Sequence, residues 1–570
     1  MPPASANISV STIVNNAGAA ESPVTLVSEI VDRDTRVVAS MESSKTIAAG
    51  KSETFLQNAA VAQPRLWSIR TPNLYKVVTT VKQGGRVLDS QQTRFGIRAI
   101  RFDAEKGLIL NGEPVKIQGV CNHQDFAGVG VAVPDTLEAW RVRKMKEMGA
   151  NAWRMSHNPP NPELLDACDQ EGMLVMDENR KLGDSDEILA QVASMVLRDR
   201  NHPSIIMWSM CNEEGRQGTP QGARQFAAMK EVVRKHDKTR LVSSAMNGGW
   251  LEPVGLANVE DMVGVNYYPD KYDAIHKAHP GKPMFASETA STLTTRGEYA
   301  NNRRRTFVSS YNMTDSSWAP VAERDFVAGS FVWTGFDYKG EPTPYRWPCI
   351  SSHFGIIDSC GFPKDNYYYY QSWWKTDPIV HIMPHWNWPR REGQEIKVVV
   401  FSNCEKVELS LNGRSLGTRP MRRNGHLEWN VKYAAGVLEA KGINQGRPAA
   451  ADKVETTGEP AALRLKTDRD VLTADSEDLA VVEVDVVDRE GRIVPTAGNR
   501  VSFGVDGAGR VAGVGNGDPG DHDPDKGLSR RAFNGKCMVL VGTGDRSGPI
   551  VLSATADGLT PATLKLKAVQ

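Results

Sequence analysis

A surplus of charge of either sign is what this sequence most clearly lacks: Lys plus Arg number 68, and Asp plus Glu number 68. A balanced chain has no long-range field to draw it onto nucleic acid or an anionic membrane surface, so neither is expected as a partner. Long apolar runs are missing too. No stretch of about 18 apolar residues occurs, which excludes a helical membrane span. Met1 to Val10 has no positive region ahead of an apolar one, so no export signal is expected there. Cysteine is scarce and scattered, at positions 121, 168, 211, 349, 360, 404 and 537, with no C-x-x-C and no repeated spacing. That pattern argues against a disulfide framework or a zinc site, and these cysteines read as small buried hydrophobes.

What is present is length and a change of rhythm. At 570 residues the chain exceeds a single core, and roughly 100 to 200 residues per domain implies three to five domains. Up to about residue 98 apolar and polar positions alternate between turns, as in Ile8-Ser9-Val10-Ser11-Thr12-Ile13-Val14 before Asn15-Asn16, which is the rhythm of a β-sandwich. From Val115 the pattern turns into short, nearly continuous apolar runs of the kind buried on both faces of a parallel sheet. Eight are present: Val115 to Val120, Ala150 to Met155, Met173 to Met176, Ser204 to Met210, Leu241 to Met246, Met262 to Val265, Pro283 to Ala286, and Gly329 to Trp333. Eight is the number that closes a (β/α)8 barrel.

Helical stretches separate the runs. Asp135 is expected to cap one that stops at Gly149, Asn161-Pro162-Glu163 to open one that ends at Gly172, and Thr219-Pro220 to open a longer one reaching about Lys235. Thr289 to Asp325 has poor helical periodicity and is expected to be mostly loop. After Trp374 the period returns to two, with a hairpin signal at Asn412-Gly413, a strand at Val481 to Val487, and a Gly/Asp/Pro-rich loop from Gly515 to Gly527, predicting two more sandwiches.

In a parallel barrel the functional groups gather where strands end. Here the runs end in Asn122-His123-Gln124-Asp125, Ser156-His157-Asn158, Asp177-Glu178-Asn179-Arg180, Asn212-Glu213-Glu214, Asn266-Tyr267-Tyr268, Ser287-Glu288, and Trp333 with Asp337 nearby. Glu213 and Glu288 follow runs four and seven, three βα units apart around the ring. Two carboxyls facing each other across a mouth are what cleavage of a glycosidic bond requires, one protonated to release the leaving oxygen and one ionised. Asn212 offers an amide to a sugar hydroxyl, and Tyr267 a hydrogen bond to an ionised Glu288. Trp333 offers an aromatic face to the C–H face of a sugar. Glu214 and Glu178 read as structural, and the aromatic series Tyr367 to Tyr370 with Trp373 and Trp374 as packing of the last helix.

Several of these segments resemble glycoside hydrolase family 2, the family of β-galactosidases, β-glucuronidases and β-mannosidases. Asp199-Arg200-Asn201-His202-Pro203-Ser204 leading into Trp208-Ser209-Met210-Cys211-Asn212-Glu213-Glu214 is similar to that family's acid/base signature. Further likenesses are Phe95-Gly96-Ile97-Arg98, Leu110-Asn111-Gly112, Arg154-Met155-Ser156-His157 and Phe285-Ala286-Ser287-Glu288. The segment Trp333 to Tyr338, continuing through Ser351 to Gly355 and Gly361 to Asp365, is similar to the β-galactosidase branch.

The resemblance implies a central (β/α)8 TIM barrel at 99–380 flanked by immunoglobulin-like β-sandwiches at 1–98, 381–457 and 458–570. It implies a retaining, exo-acting β-galactosidase with Glu213 as acid/base, Glu288 as nucleophile and Tyr267 as its hydrogen-bond partner. Asn212, His123, His157, Trp333, Asp337, Asn158 and Arg154 are expected to bind the glycone. The implied substrate is a β-galactoside oligosaccharide or polysaccharide side chain, with β-glucuronidase or another family 2 glycosidase as the alternative, and a homo-oligomer is compatible with it. Full-length relatives are often exported to the periplasm. No cofactor and no metal are expected, since the acid-x-His pair that holds magnesium in some relatives is replaced by Asn179-Arg180-Lys181. The glucuronidase Asn-x-Lys is absent between Ser351 and Asp358. The family's leading sugar-binding jelly roll has no counterpart in this sequence, which implies an opened glycone pocket and either weak turnover or a carbohydrate-binding remnant.

Overall fold

The computed structural model describes residues 3–570. Eight strands carry the centre of the molecule: β1 (Ile117–Asn122), β2 (Ala152–Met155), β3 (Leu174–Glu178), β4 (Ile205–Asn212), β5 (Leu241–Ala245), β6 (Val263–Asn266), β7 (Met284–Ala290) and β8 (Val327–Trp333). Each of the eight apolar runs became one of them. They hydrogen-bond in the order β5-β4-β3-β2-β1-β8-β7-β6, the order of a parallel barrel opened at one seam. At that seam, between β5 and β6, Asp261 N donates to Val242 O at 2.9 Å and Met246 N to Gly264 O at 3.4 Å, so the barrel is nearly closed. Every residue of β2, β3, β4, β6 and β8 is buried, as expected of strands covered on both faces.

The strands alternate with α1 (Asp135–Met148), α2 (Pro162–Glu171), α3 (Asp186–Asp199), α4 (Pro220–His236), α5 (Leu256–Val259), α6 (Tyr272–Ala278), α7 (Asp315–Ala322) and α8 (Asp365–Trp374). Gly149 and Gly172 take the left-handed C-cap conformation and end α1 and α2. Thr219 caps α4 by accepting from Gly222 N. Asp135 is not the cap of α1. Extended Pro134 holds that position, and Asp135 contributes its charge inside the first turn, where the helix dipole favours an anion. Between β7 and β8 the chain is mostly loop, yet it closes with the eight-residue α7 in spite of Pro320. In α8, Tyr369, Tyr370 and Trp374 are buried.

The chain divides into two compact units. The first comprises everything up to Ile117 together with Asn158–Gly264 and Asp273–Phe285. Its leading sandwich pairs Ser5–Asn15 with Ser52–Ala62, and stacks Val37–Ile47, Ser22–Val31, Tyr75–Gln83 and Arg86–Phe95 in a second sheet. Ile30, Leu26, Phe55 and Val77 fill its core. From the end of this sandwich Arg98 donates to the carbonyls of Pro203 and Ile205, and Trp67 Nε1 donates to Asp169 O at 2.8 Å. Arg240 bonds Ile205 O at 2.7 Å, the carbonyls of Arg200 and His202, and the carboxylate of Asp237, which also takes the Trp208 indole N–H. Arg240 and the Thr239 hydrogen bonds together hold the Asp237 carboxyl down at about 2, against its burial. Bonds to the segment 200–205 thus fix where β4 starts.

The second unit comprises Gln118–His157, Val265–Tyr272 and Ala286–Gln570. Two further sandwiches end it, one with Trp386, Val398, Val400 and Leu438 in its core, the other with Val482, Val484, Val539 and Leu552. All seven cysteines are buried, and none is joined in a disulfide among the described residues.

Candidate active site

In the first unit, Asn212 ends β4 buried, and Glu213 follows it partly exposed. Glu213 N donates to Ala245 O at 2.8 Å, and its φ is 52°, a left-handed conformation that an unbranched L-residue occupies at a cost of about 1–2 kcal/mol. Glu214, beside it, accepts from Leu182 N at 3.3 Å, and buried Glu178 accepts from Ser209 Oγ at 2.9 Å; both serve structure. The Asn179 amide donates to the carbonyls of Lys181 and Met210, while exposed Arg180 reaches Asn212 O at 3.3 Å. A guanidinium at this spot opposes a bound cation.

The second unit presents Glu288 in β7, nearly buried. Arg154 Nη1 donates to its Oε1 at 2.8 Å and Tyr267 Oη to its Oε2 at 2.9 Å, so both oxygens meet a donor and the ionised form is favoured. Burial and the neighbouring Glu288 push the Tyr267 phenol well above its usual range, which keeps it protonated and donating. Ser291 Oγ lies 2.7 Å from the same phenol oxygen. Sequence reasoning did not single out this serine.

An aromatic wall stands beside Glu288. His157 stacks on Trp333 with ring centres 5.1 Å apart and planes at 10°, and His123 meets Trp333 edge-on at 5.4 Å. The Tyr338 ring adds to it, 4.2 Å from His123. His157 Nδ1 is 3.3 Å from Arg154 Nη2 and its Nε2 is 3.9 Å from Glu288 Oε1. Asn158 is exposed, its amide on Pro159 O at 3.2 Å.

Two residues expected to bind the glycone are placed otherwise. Arg154 is fully buried and spends its guanidinium on Glu288, Ser287 O and His157. Asp337 is buried in an ion pair with Lys364 at 2.6 Å, and its Oδ1 accepts from Ser352 Oγ and Gly355 N. Burial raises its carboxyl to about 6 against the pull of Lys364. The reason is common to both: a charged group in a dry wall needs a fixed partner, and that partner consumes it.

Left-handed backbone clusters at these strand ends. Besides Glu213, the residues Tyr267, Tyr268, Ala290 and Ser291 have φ of 62°, 47°, 72° and 49°. Among the described residues a single group of three metal-ligating side chains is found, Asp166, Asp169 and His202. Asp169 already accepts from Ser204 N and His202, and Asp166 faces Arg94 at 3.1 Å.

The chain is similar to known proteins. Residues 2–98 match the model "Glycosyl hydrolases family 2", 102–185 and 182–376 its TIM barrel domain, and 463–565 "Glycoside hydrolase family 2 C-terminal domain 5"; residues 393–450 match a domain of unknown function. The chain is 38% identical to beta-galactosidase BoGH2A of Bacteroides ovatus, over 98% of this chain and 73% of that protein. It is 33% identical to a putative beta-glucuronidase of Formosa agariphila over 86% of this chain, and spans about half that protein's length, 52%. A solved glycosyl hydrolase family 2 member from Bacteroides cellulosilyticus superposes with a TM-score of 0.90 at 30% identity, covering 99% of this chain and 77% of that one. Signature, barrel and this likeness along nearly its whole length agree: the chain belongs to glycoside hydrolase family 2 and is a glycosidase.

Proposed function

We propose that the chain is a retaining, exo-acting β-galactosidase working by double displacement, with Glu288 as nucleophile and Glu213 as acid/base. The observation that carries this reading is the pair of donors on Glu288, Arg154 at 2.8 Å and Tyr267 at 2.9 Å, which holds a nearly buried carboxylate ionised. Glu288 attacks the anomeric carbon while Glu213 gives its proton to the departing glycosidic oxygen. Glu213, now a base, takes a proton from water, the water oxygen bonds the anomeric carbon, and Glu288 leaves. Double displacement asks for carboxyls roughly 5 to 5.5 Å apart.

A neutral galactose-like glycone is supported by the fate of the buried cations. Arg154 and Lys364 are committed to Glu288 and Asp337, whereas a uronate calls for a cationic clamp of its own. The similarity to a β-galactosidase of Bacteroides ovatus points the same way. The alternative, a β-glucuronidase, is favoured by the Formosa relative and by exposed Arg180 next to the Asn212 carbonyl.

Aryl β-galactoside and β-glucuronide assays on the purified chain decide between the two. Glu288→Gln is expected to abolish turnover. Glu213→Ala is expected to spare substrates with very good leaving groups and to be rescued by azide, giving the β-glycosyl azide. An inverted first product in NMR refutes the mechanism, and faster cleavage of the glucuronide refutes the glycone.

A further inference from the structure

Trp347 is 77% exposed, although an indole is the kind of group that dominates cores and interfaces. It sits near the tip of the loop that begins at Tyr338, a ring of the aromatic wall. This loop is built to be stiff. Pro342, Pro344 and Pro348 fix its backbone, Gly340 N donates to Ile350 O at 2.9 Å across its base, and Tyr345 Oη reaches Phe307 O at 2.7 Å.

The last sandwich braces it from the other side. Ile350 N donates to Pro519 O at 2.9 Å, His522 Nε2 lies 2.6 Å from Pro348 O, and Lys339 pairs with Asp525 at 3.3 Å. The His522 ring meets Trp347 edge-on at 4.5 Å. His522 itself is held by an acidic loop of the spacing a hard cation likes, Asp521, Asp523 and Asp525, but the buried Arg530 guanidinium fills its centre. Arg530 bonds the carboxylates of Asp521 and Asp525 and the Asp523 carbonyl, each at 3.0 Å.

We propose that Trp347, backed by His522, is the platform on which the aglycone sugar stacks, so that the C-terminal sandwich takes part in substrate binding. An exposed aromatic ring held rigid before the ligand arrives loses little entropy on binding, and its apolar face matches the C–H face of a pyranose. The loop is anchored at its start in the ring cluster, where Tyr338 lies 4.2 Å from His123 and 5.9 Å from Trp333. This inference rests on the glycosidase reading of the same site. It assigns the substrate to the oligosaccharides and polysaccharide side chains rather than to simple glycosides.

The test compares kcat/KM for β-1,4-galactotriose with that for methyl β-galactoside in the full-length chain. Trp347→Ala is expected to lower the ratio of the two at least tenfold, and Trp347→Phe to keep it within about threefold of the parent. An unchanged ratio in Trp347→Ala overturns the platform. If the parent cleaves neither compound, the proposed function fails separately. The platform is then read by calorimetric binding of galactotriose to Glu288→Gln with and without Trp347→Ala. Weakening by tenfold or more supports it, and unchanged or undetectable binding overturns it.

Discussion

At the scale of single residues, chemistry concentrates on how one carboxylate is kept charged in a nearly dry wall. Tyr267→Phe removes one of the two donors on Glu288. A hydrogen bond to a charged group is worth about 1.5–3 kcal/mol, and 1.4 kcal/mol is tenfold in rate. On the order of a tenfold to hundredfold loss in kcat is therefore expected, with the acidic limb of the pH profile moved to higher pH because the ionised form has lost support. Stopped or steady-state assays between pH 4 and 8 check both, and an unmoved limb contradicts the assigned role. Glu288 and Tyr267 could be read from the strand ends and from the resemblance. Ser291 could not, because its approach to Tyr267 depends on two successive left-handed residues, Ala290 and Ser291, and nothing in a non-glycine residue's identity announces a positive φ. The bond from Arg154 to Glu288 could not be read either, since a strand buried on both faces gives no alternation to say which way a side chain points.

Among the elements, the seam between β5 and β6 holds a buried acid. Glu260, in the turn before β6, accepts from Ser244 N at 3.1 Å and Ser244 Oγ at 2.7 Å, and burial raises its carboxyl to about 8. The folded chain keeps this proton where the unfolded chain has released it. The stability it contributes is thus complete below the unfolded value near 4.5 and is lost as pH rises through about 8, at roughly 1.4 kcal/mol per pH unit within that window. Glu260→Gln is expected to flatten this alkaline decline, so that calorimetric Tm between pH 5 and 8 falls less steeply than in the parent. Equal slopes contradict it. The strands themselves were legible because eight apolar runs bounded by turn residues leave few other arrangements. The cap of α1 was misjudged by one residue because Pro134 and Asp135 both suit a helix start, and proline's fixed φ took the outer place.

For the molecule as a whole, side-chain cations stand where bound metal would be sought. Arg530 centres the acidic loop, Arg180 faces the Asn212 carbonyl, and Arg94 answers Asp166. Exhaustive dialysis against a chelator is expected to leave kcat/KM within twofold, and loss restored by magnesium contradicts this. The division of the chain carries a different consequence. The segment Gln118–His157 packs with residues from Ala286 onward, so about 130 residues must be added before most of its partners exist. At the usual pace of synthesis that is on the order of ten seconds. During that interval β1 and β2, destined for burial, wait unfinished at the ribosome. Soluble yield in a foreign host is therefore expected to rise with chaperone supply during this interval.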